Sequence, residues 1–195
     1  MPPPDRPHPP TTPHRARLLK PQLRVAHVSE IDLDHLEALG IAGFVFDLDD
    51  TLVHAMEPQA DPGIHAWVQA VRERFAVWVV SNNGSLTRVA RAAAHLGLPY
   101  RARALKPSRR SFRAVLAEMG LPPERCAIVG DQLFTDVLGG NRLGAYTILV
   151  DPLSEERRWH RRWMRSLETY MLRRGGGTPY HRPTGVEPRR EPDQA

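Results

Sequence analysis

Short apolar runs alternate along the chain with longer stretches whose apolar residues recur every three or four positions, and polar or glycine-bearing breaks separate the two. Such runs have the size of buried strands, and the longer period is that of a helix with one covered face. Strands are expected at residues 43–47, 75–80, 100–104, Cys126–Gly130 and 145–150. Helices fill the gaps. Pro62–Arg74 carries Ile64, Trp67, Val68 and Val71 on one stripe; residues 85–96 are capped by Ser85 and stopped by Gly97; residues 108–119 are capped by Ser108 and stopped by Gly120. A short extra helix, residues 32–39, precedes the first strand. Strand and helix in alternation predict an α/β fold with a mainly parallel sheet, and no internal repeat is visible.

The two ends break this pattern. Seven of the first thirteen residues are proline, and residues 175–195 combine three consecutive glycines with four prolines, so neither end is expected to be ordered. The expected division is a disordered N-terminus (1–17), an α/β domain (18–153), a basic amphipathic helix (154–174) and a disordered tail (175–195). Charge is uneven in the same way: residues 1–24 carry +4, 25–154 carry −3, 155–174 carry +4 and 175–195 carry 0. An acidic centre suits a metal site; basic flanks suit an anionic surface or simply keep the chain soluble. The single cysteine, Cys126, excludes an internal disulfide and fits a reducing cytosol, where a buried strand position is its expected role. No apolar stretch approaches the ~20 residues that span a bilayer, and the N-terminus lacks a signal peptide's apolar core, so a soluble or peripheral protein is expected.

In an open parallel sheet, ligands bind beyond the carboxyl ends of the strands. Four expected strands end in residues suited to one phosphate and one metal: Asp47, Asp49, Asp50 and Thr51 in FDLDDT (residues 46–51), then Ser81, Asn82 and Asn83, then Lys106, then Asp131 to Asp136. Singly, each has an ordinary reading as a turn acid, a cap or a solvated lysine. Four consecutive junctions in register are a stronger signal than any one of them.

These residues resemble the four motifs of the haloacid-dehalogenase superfamily of phosphatases: Asp47/Asp49/Thr51, Ser81, Lys106, and Gly130-Asp131 with Asp136. The longer strings SNN, GDQLFTDVLGGNRLG and TILV resemble the YqeG-like branch of subclass IIIA, related to phosphatidylglycerophosphate phosphatases. The resemblance implies a Rossmann-like three-layer fold with a five-stranded sheet in the order 5-4-1-2-3. It also implies an aspartyl-phosphate mechanism with Mg²⁺ as cofactor. Asp47 is then the nucleophile, Asp49 the general acid and base, and Lys106 the catalytic cation. Thr51, Ser81, Asn82, Asn83 and Lys106 are the expected phosphate ligands. The metal set is Asp47, Asp131 and the carbonyl of Asp49, with Asp136 auxiliary and Asn141 and Arg142 as candidate neighbours. Asp50 departs from the asparagine expected in this branch and adds negative charge beside the metal. His54 and Arg88 are weaker candidates for the pocket, with solvation and helix capping as their rivals.

Cap domains of this superfamily are inserted after the first strand or after the second motif, and both gaps are short here, so no cap is expected. An uncapped site favours a phosphate on a large body over a small free metabolite. In residues 154–174, Trp159, Trp163, Leu167, Tyr170 and Met171 share one helical stripe while Arg157, Arg158, Arg161, Arg162 and Arg165 lie mostly elsewhere. That stripe either packs on the domain or lies in anionic headgroups. The expected partner is a phosphorylated substrate, with a lipid headgroup favoured and phosphatidylglycerophosphate the leading case by resemblance. Peripheral contact with the inner face of the membrane is expected from a cytoplasmic protein. Nucleic acid is disfavoured, and no obligate protein partner is inferred. The rivals are a soluble sugar- or nucleotide-phosphate phosphatase and a non-catalytic RNA- or ribosome-binding protein on the same fold.

Overall fold

A computed structural model describes residues 18–54, 57 and 59–154. The expected disordered ends, and all of the expected 154–174 helix but Ser154, lie outside the described residues.

Six parallel strands form one sheet: β1 (Leu23–Val25), β2 (Gly43–Phe46), β3 (Ala76–Val80), β4 (Tyr100–Arg101), β5 (Cys126–Gly130) and β6 (Tyr146–Val150), in the order β1-β6-β5-β2-β3-β4. Apart from the added edge strand β1, this is the expected order. The five-strand expectation is corrected because Leu23–Val25 pairs with Ile148–Val150. Gln22 secures that edge: its Oε1 accepts from Thr147 N at 2.7 Å and Thr147 Oγ1 at 2.6 Å.

The helices are α1 (Leu33–Ala38), α2 (Pro62–Arg74), α3 (Leu86–Leu96), α4 (Arg109–Met119) and α5 (Leu138–Asn141). The expected caps hold. Ser85 and Ser108 accept from Arg88 N and Arg110 N, and Gly97 and Gly120 end their helices in the left-handed region. β2 is buried along its whole length, and its side chains alternate between two cores. Phe44 and Phe46 join Ile64, Val68 and Val71 of α2 and Val89 and Leu96 of α3, whereas Val45 joins Phe112, Val115 and Leu116 of α4 on the other face. The result is three layers.

The chain runs outward from β2 through β3 to β4, then returns through α4 to β5 on the other side of β2. The order of strands therefore reverses between β2 and β5, and a crevice opens at such a point. Asp47 and Asp131 leave the sheet there. Only residues 47–61 separate β2 from α2, and no helix among the described residues is long and apolar enough to cross a membrane.

Candidate active site

Asp47 follows the last residue of β2, with its N–H donating to Val129 O of β5 at 2.8 Å. Its Oδ1 accepts from Lys106 Nζ at 2.6 Å, and the same ammonium donates to Asp136 Oδ1 at 2.7 Å. All three side chains are buried. Burial pushes the Asp47 carboxyl up to about 6; Lys106 opposes that rise and Asp136 adds to it. Burial also works against the charge on Lys106, but the two carboxylates outweigh it and hold the ammonium above its ordinary range.

Asp136 comes from the turn Leu133–Val137 after β5, where its Oδ2 accepts from Gln132 N at 3.3 Å and Thr135 Oγ1 at 3.2 Å. It lies so close to the strand that a Cβ on Gly130 would stand 2.3 Å from its Cγ. Glycine is required at Gly130 by that approach. Asp47, Asp131 and Asp136 each bring a carboxylate oxygen within 4.8 Å of the others. A buried, oxygen-only donor set of this kind fits a hard divalent cation such as Mg²⁺ and no softer metal in particular.

Asp49 faces other partners. Its Oδ2 accepts from Asn83 Nδ2 at 3.1 Å and Ser81 Oγ at 3.4 Å, and its Oδ1 lies 2.8 Å from Arg88 Nη2. Arg88 also donates to His54 O at 3.0 Å. The carboxylate of Asp49 is thus turned from the acidic cluster, which is compatible with the expected use of its carbonyl alone toward a metal. Asn82 does something the sequence did not suggest: its amide exchanges two hydrogen bonds with the Lys106 backbone, at 2.7 and 3.2 Å, fixing the lysine over Asp47. The Lys106–Pro107 peptide is cis.

A pocket of about 240 Å³ is lined by Asp47, Asp49, Asn82, Asn83, Lys106, Gln132 and Thr135. Gln132 and Thr135 were not singled out from sequence, although they sit between Asp131 and Asp136 in the motif. Ser81 and Thr51 are buried outside that lining, Ser81 accepting from Asn83 N at 3.0 Å. Asn141 and Arg142 also lie outside it. Asn141 Nδ2 donates to Leu18 O at 2.9 Å and Lys20 O at 3.0 Å, which ties down the approach to β1, and Arg142 is exposed.

Asp50 takes a left-handed conformation, φ 60°, with its N–H donating to Val53 O at 2.7 Å. Its carbonyl accepts from Leu153 N at 3.0 Å and its Oδ1 accepts from Ser154 Oγ. The extra acid of FDLDDT is therefore a fastening to the chain beyond β6.

The HAD-hydrolase-like family profile matches residues 104–166. The chain is 37% identical over 149 residues to the probable phosphatase YqeG of Bacillus subtilis (strain 168), covering 76% of this chain and 86% of that one. It is 30% identical over 148 residues to the chloroplastic phosphatidylglycerophosphate phosphatase 1 of Chlamydomonas reinhardtii, covering 70% of this chain and 54% of that one. A haloacid dehalogenase-like family hydrolase from Xanthomonas campestris aligns at 15% identity with a TM-score of 0.47, over 68% of this chain and 98% of that one. The chain belongs to the haloacid-dehalogenase superfamily of hydrolases, and within it to the YqeG-like phosphatases.

Proposed function

We propose that the protein is a Mg²⁺-dependent phosphomonoester hydrolase that works through an aspartyl-phosphate on Asp47 and acts on the phosphate of a lipid headgroup, with phosphatidylglycerophosphate the leading substrate. The observation that carries this reading is the convergence of Asp47, Asp131, Asp136 and Lys106 from three strand ends onto one cluster beside an open pocket.

A carboxylate oxygen of Asp47 attacks phosphorus, and the bond from phosphorus to the substrate oxygen breaks. Asp49, lining the same pocket, gives its proton to that leaving oxygen. It then takes a proton from the water that attacks the acyl phosphate, which releases inorganic phosphate and restores Asp47. Lys106 holds positive charge against the nucleophile throughout, and Asn83 with the amides after Ser81 receives phosphoryl oxygens. Asp47, Asp131 and the Asp49 carbonyl would hold Mg²⁺, with Asp136 behind them. When bound, it offsets the repulsion between carboxylate and phosphate.

A lipid phosphate is supported by three observations. A relative named for phosphatidylglycerophosphate matches over most of this chain. The pocket, at about 240 Å³, is smaller than the roughly 300–1,000 Å³ of sites that enclose a whole ligand. The Trp/Arg pattern of residues 154–174 also suits peripheral contact with an anionic membrane on its cytoplasmic face. The test is a phosphate-release panel of phosphatidylglycerophosphate in micelles, sugar phosphates and nucleotides, with and without Mg²⁺. Mg²⁺-dependent release that favours the lipid is expected. Preference for a soluble phosphate would overturn the substrate, and RNA binding without any turnover would overturn the enzyme reading.

A further inference from the structure

Three large apolar side chains stand exposed close in sequence to residues that line the pocket, each in the segment that follows a different strand. Leu86, 49% exposed, follows β3 three residues after Asn83; Leu105, 78% exposed, directly precedes Lys106; Phe134, 42% exposed, directly precedes Thr135. Single exposed apolar residues are ordinary. These three share one end of the sheet, and each stands within three residues of a residue that lines the pocket.

The exposure is built into the backbone. Leu105 is held at φ 55° and Arg103 at φ 52°, a region that non-glycine residues seldom occupy. Arg103 pins the loop across to the Ser81–Leu86 segment, donating from N to Asn83 O at 3.4 Å and from Nε to Gly84 O at 3.1 Å. Arg103 in the loop after β4 and Arg109 and Arg110 in the first turn of α4 are exposed, and residues 81–86 and 102–111 contain no acid. Acids do follow the neighbouring strands: Asp49 lines the pocket after β2, with Glu57 and Asp61 exposed further along that loop, while Asp131 and Asp136 after β5 are buried.

We infer that the rim formed beyond the carboxyl ends of β3, β4 and β5 is an interfacial docking surface for an anionic phospholipid bilayer. Leu86, Leu105 and Phe134 enter the boundary between headgroups and acyl chains, while the three arginines lie against lipid phosphates. The inference rests on the lipid-phosphate reading and makes the catalytic mouth itself a membrane contact, in addition to any made by residues 154–174. Charge favours this occupant over a second copy of the chain, since a two-fold contact through this patch would bring its own arginines together.

The test is co-sedimentation of the full chain with phosphatidylcholine vesicles, with and without phosphatidylglycerol. The unmodified protein is expected to bind the mixed vesicles and to bind phosphatidylcholine alone weakly. A variant carrying Leu105→Ser and Phe134→Ser should lose about tenfold or more of that binding, and Arg109→Gln with Arg110→Gln roughly fivefold per arginine. All should hydrolyse a soluble phosphomonoester as the unmodified protein does, which shows that they fold. Undiminished vesicle binding by the serine variant would overturn the inference, as would failure of the unmodified protein to bind mixed vesicles, or a dimer that the serine substitutions dissolve. Lipid-phosphate turnover in detergent micelles is scored separately. Its absence beside intact, rim-dependent vesicle binding would defeat the substrate reading and leave the docking surface standing.

Discussion

Asp47 and Asp49 lie two residues apart on one loop, yet their surroundings have little in common. Asp47 sits at the floor with its side chain 5% exposed and its ammonium partner 2% exposed, while Asp49 is 17% exposed against a guanidinium at 20%. The floor pair is desolvated and shared with Asp136. The rim pair is partly exposed, although Asp49 Oδ1 itself is buried, and it is held by side chains from another strand end. A carboxylate that must attack phosphorus gains from being stripped of water and fixed against a cation, whereas one that must give and take protons needs access and some freedom to turn. Two aspartates of one motif are thereby suited to the two jobs proposed for them.

The largest effect should come from Asp47→Asn, which removes the proposed nucleophile and should lower phosphate release by roughly 10⁴-fold or more. Turnover near the unmodified rate, with contamination excluded, would sink the mechanism. Lys106→Ala strikes the floor through folding as well as rate. It leaves two buried carboxylates without their shared cation, and denaturant unfolding without Mg²⁺ should show a loss of about 3–5 kcal/mol.

At the rim the consequences are smaller and depend on the substrate. Arg88→Ala should leave stability within about 1 kcal/mol, because the ion pair is partly solvated. It should lower kcat for an alkyl phosphate by roughly tenfold to a hundredfold, and for p-nitrophenyl phosphate much less, since a good leaving group needs little help from an acid. Arg88→Lys should recover part of the loss. Equal losses for both substrates would show that Arg88 does not act through Asp49.

The mildest perturbation is pH. The Asp47 carboxyl is raised from 3.8 to about 6 without a cation, so its ionisation opposes folding; that cost is absent below the lower value and complete above the higher one. A bound cation removes the cost but must displace the proton below about 6. The rise in Tm produced by Mg²⁺ should therefore be greater at neutral pH than at pH 5, and Asp47→Asn should flatten the difference.

Much of the architecture was legible in the chain because its causes are local. Ser85, Ser108, Gly97 and Gly120 sit where caps must, and the alternation of Phe44, Val45 and Phe46 announces a strand covered on both faces. The clustering of Asp47, Asp131 and Asp136 around Lys106 was legible because each member follows a strand end, where a parallel sheet gathers its ligands. The misses have distant causes. β1 is three residues of ordinary sequence whose identity as a strand depends on β6, some 125 positions away. Asn141 looked like part of the site from its motif and instead secures Leu18 and Lys20. Asn82 looked like a substrate ligand, and its amide also positions the Lys106 backbone. No periodicity reports such cross-chain bonds.

The fastening of Asp50 to Leu153 and Ser154 bears on where the polypeptide can be cut. The catalytic loop receives two hydrogen bonds from the last described residues, 103 and 104 positions further on. A truncation after Pro152 would retain every strand and every candidate catalytic residue while withdrawing both donors from the loop that carries Asp47 and Asp49. The boundary of a minimal active fragment is thus set by the chemistry of the loop and falls beyond the last strand, at or after Ser154.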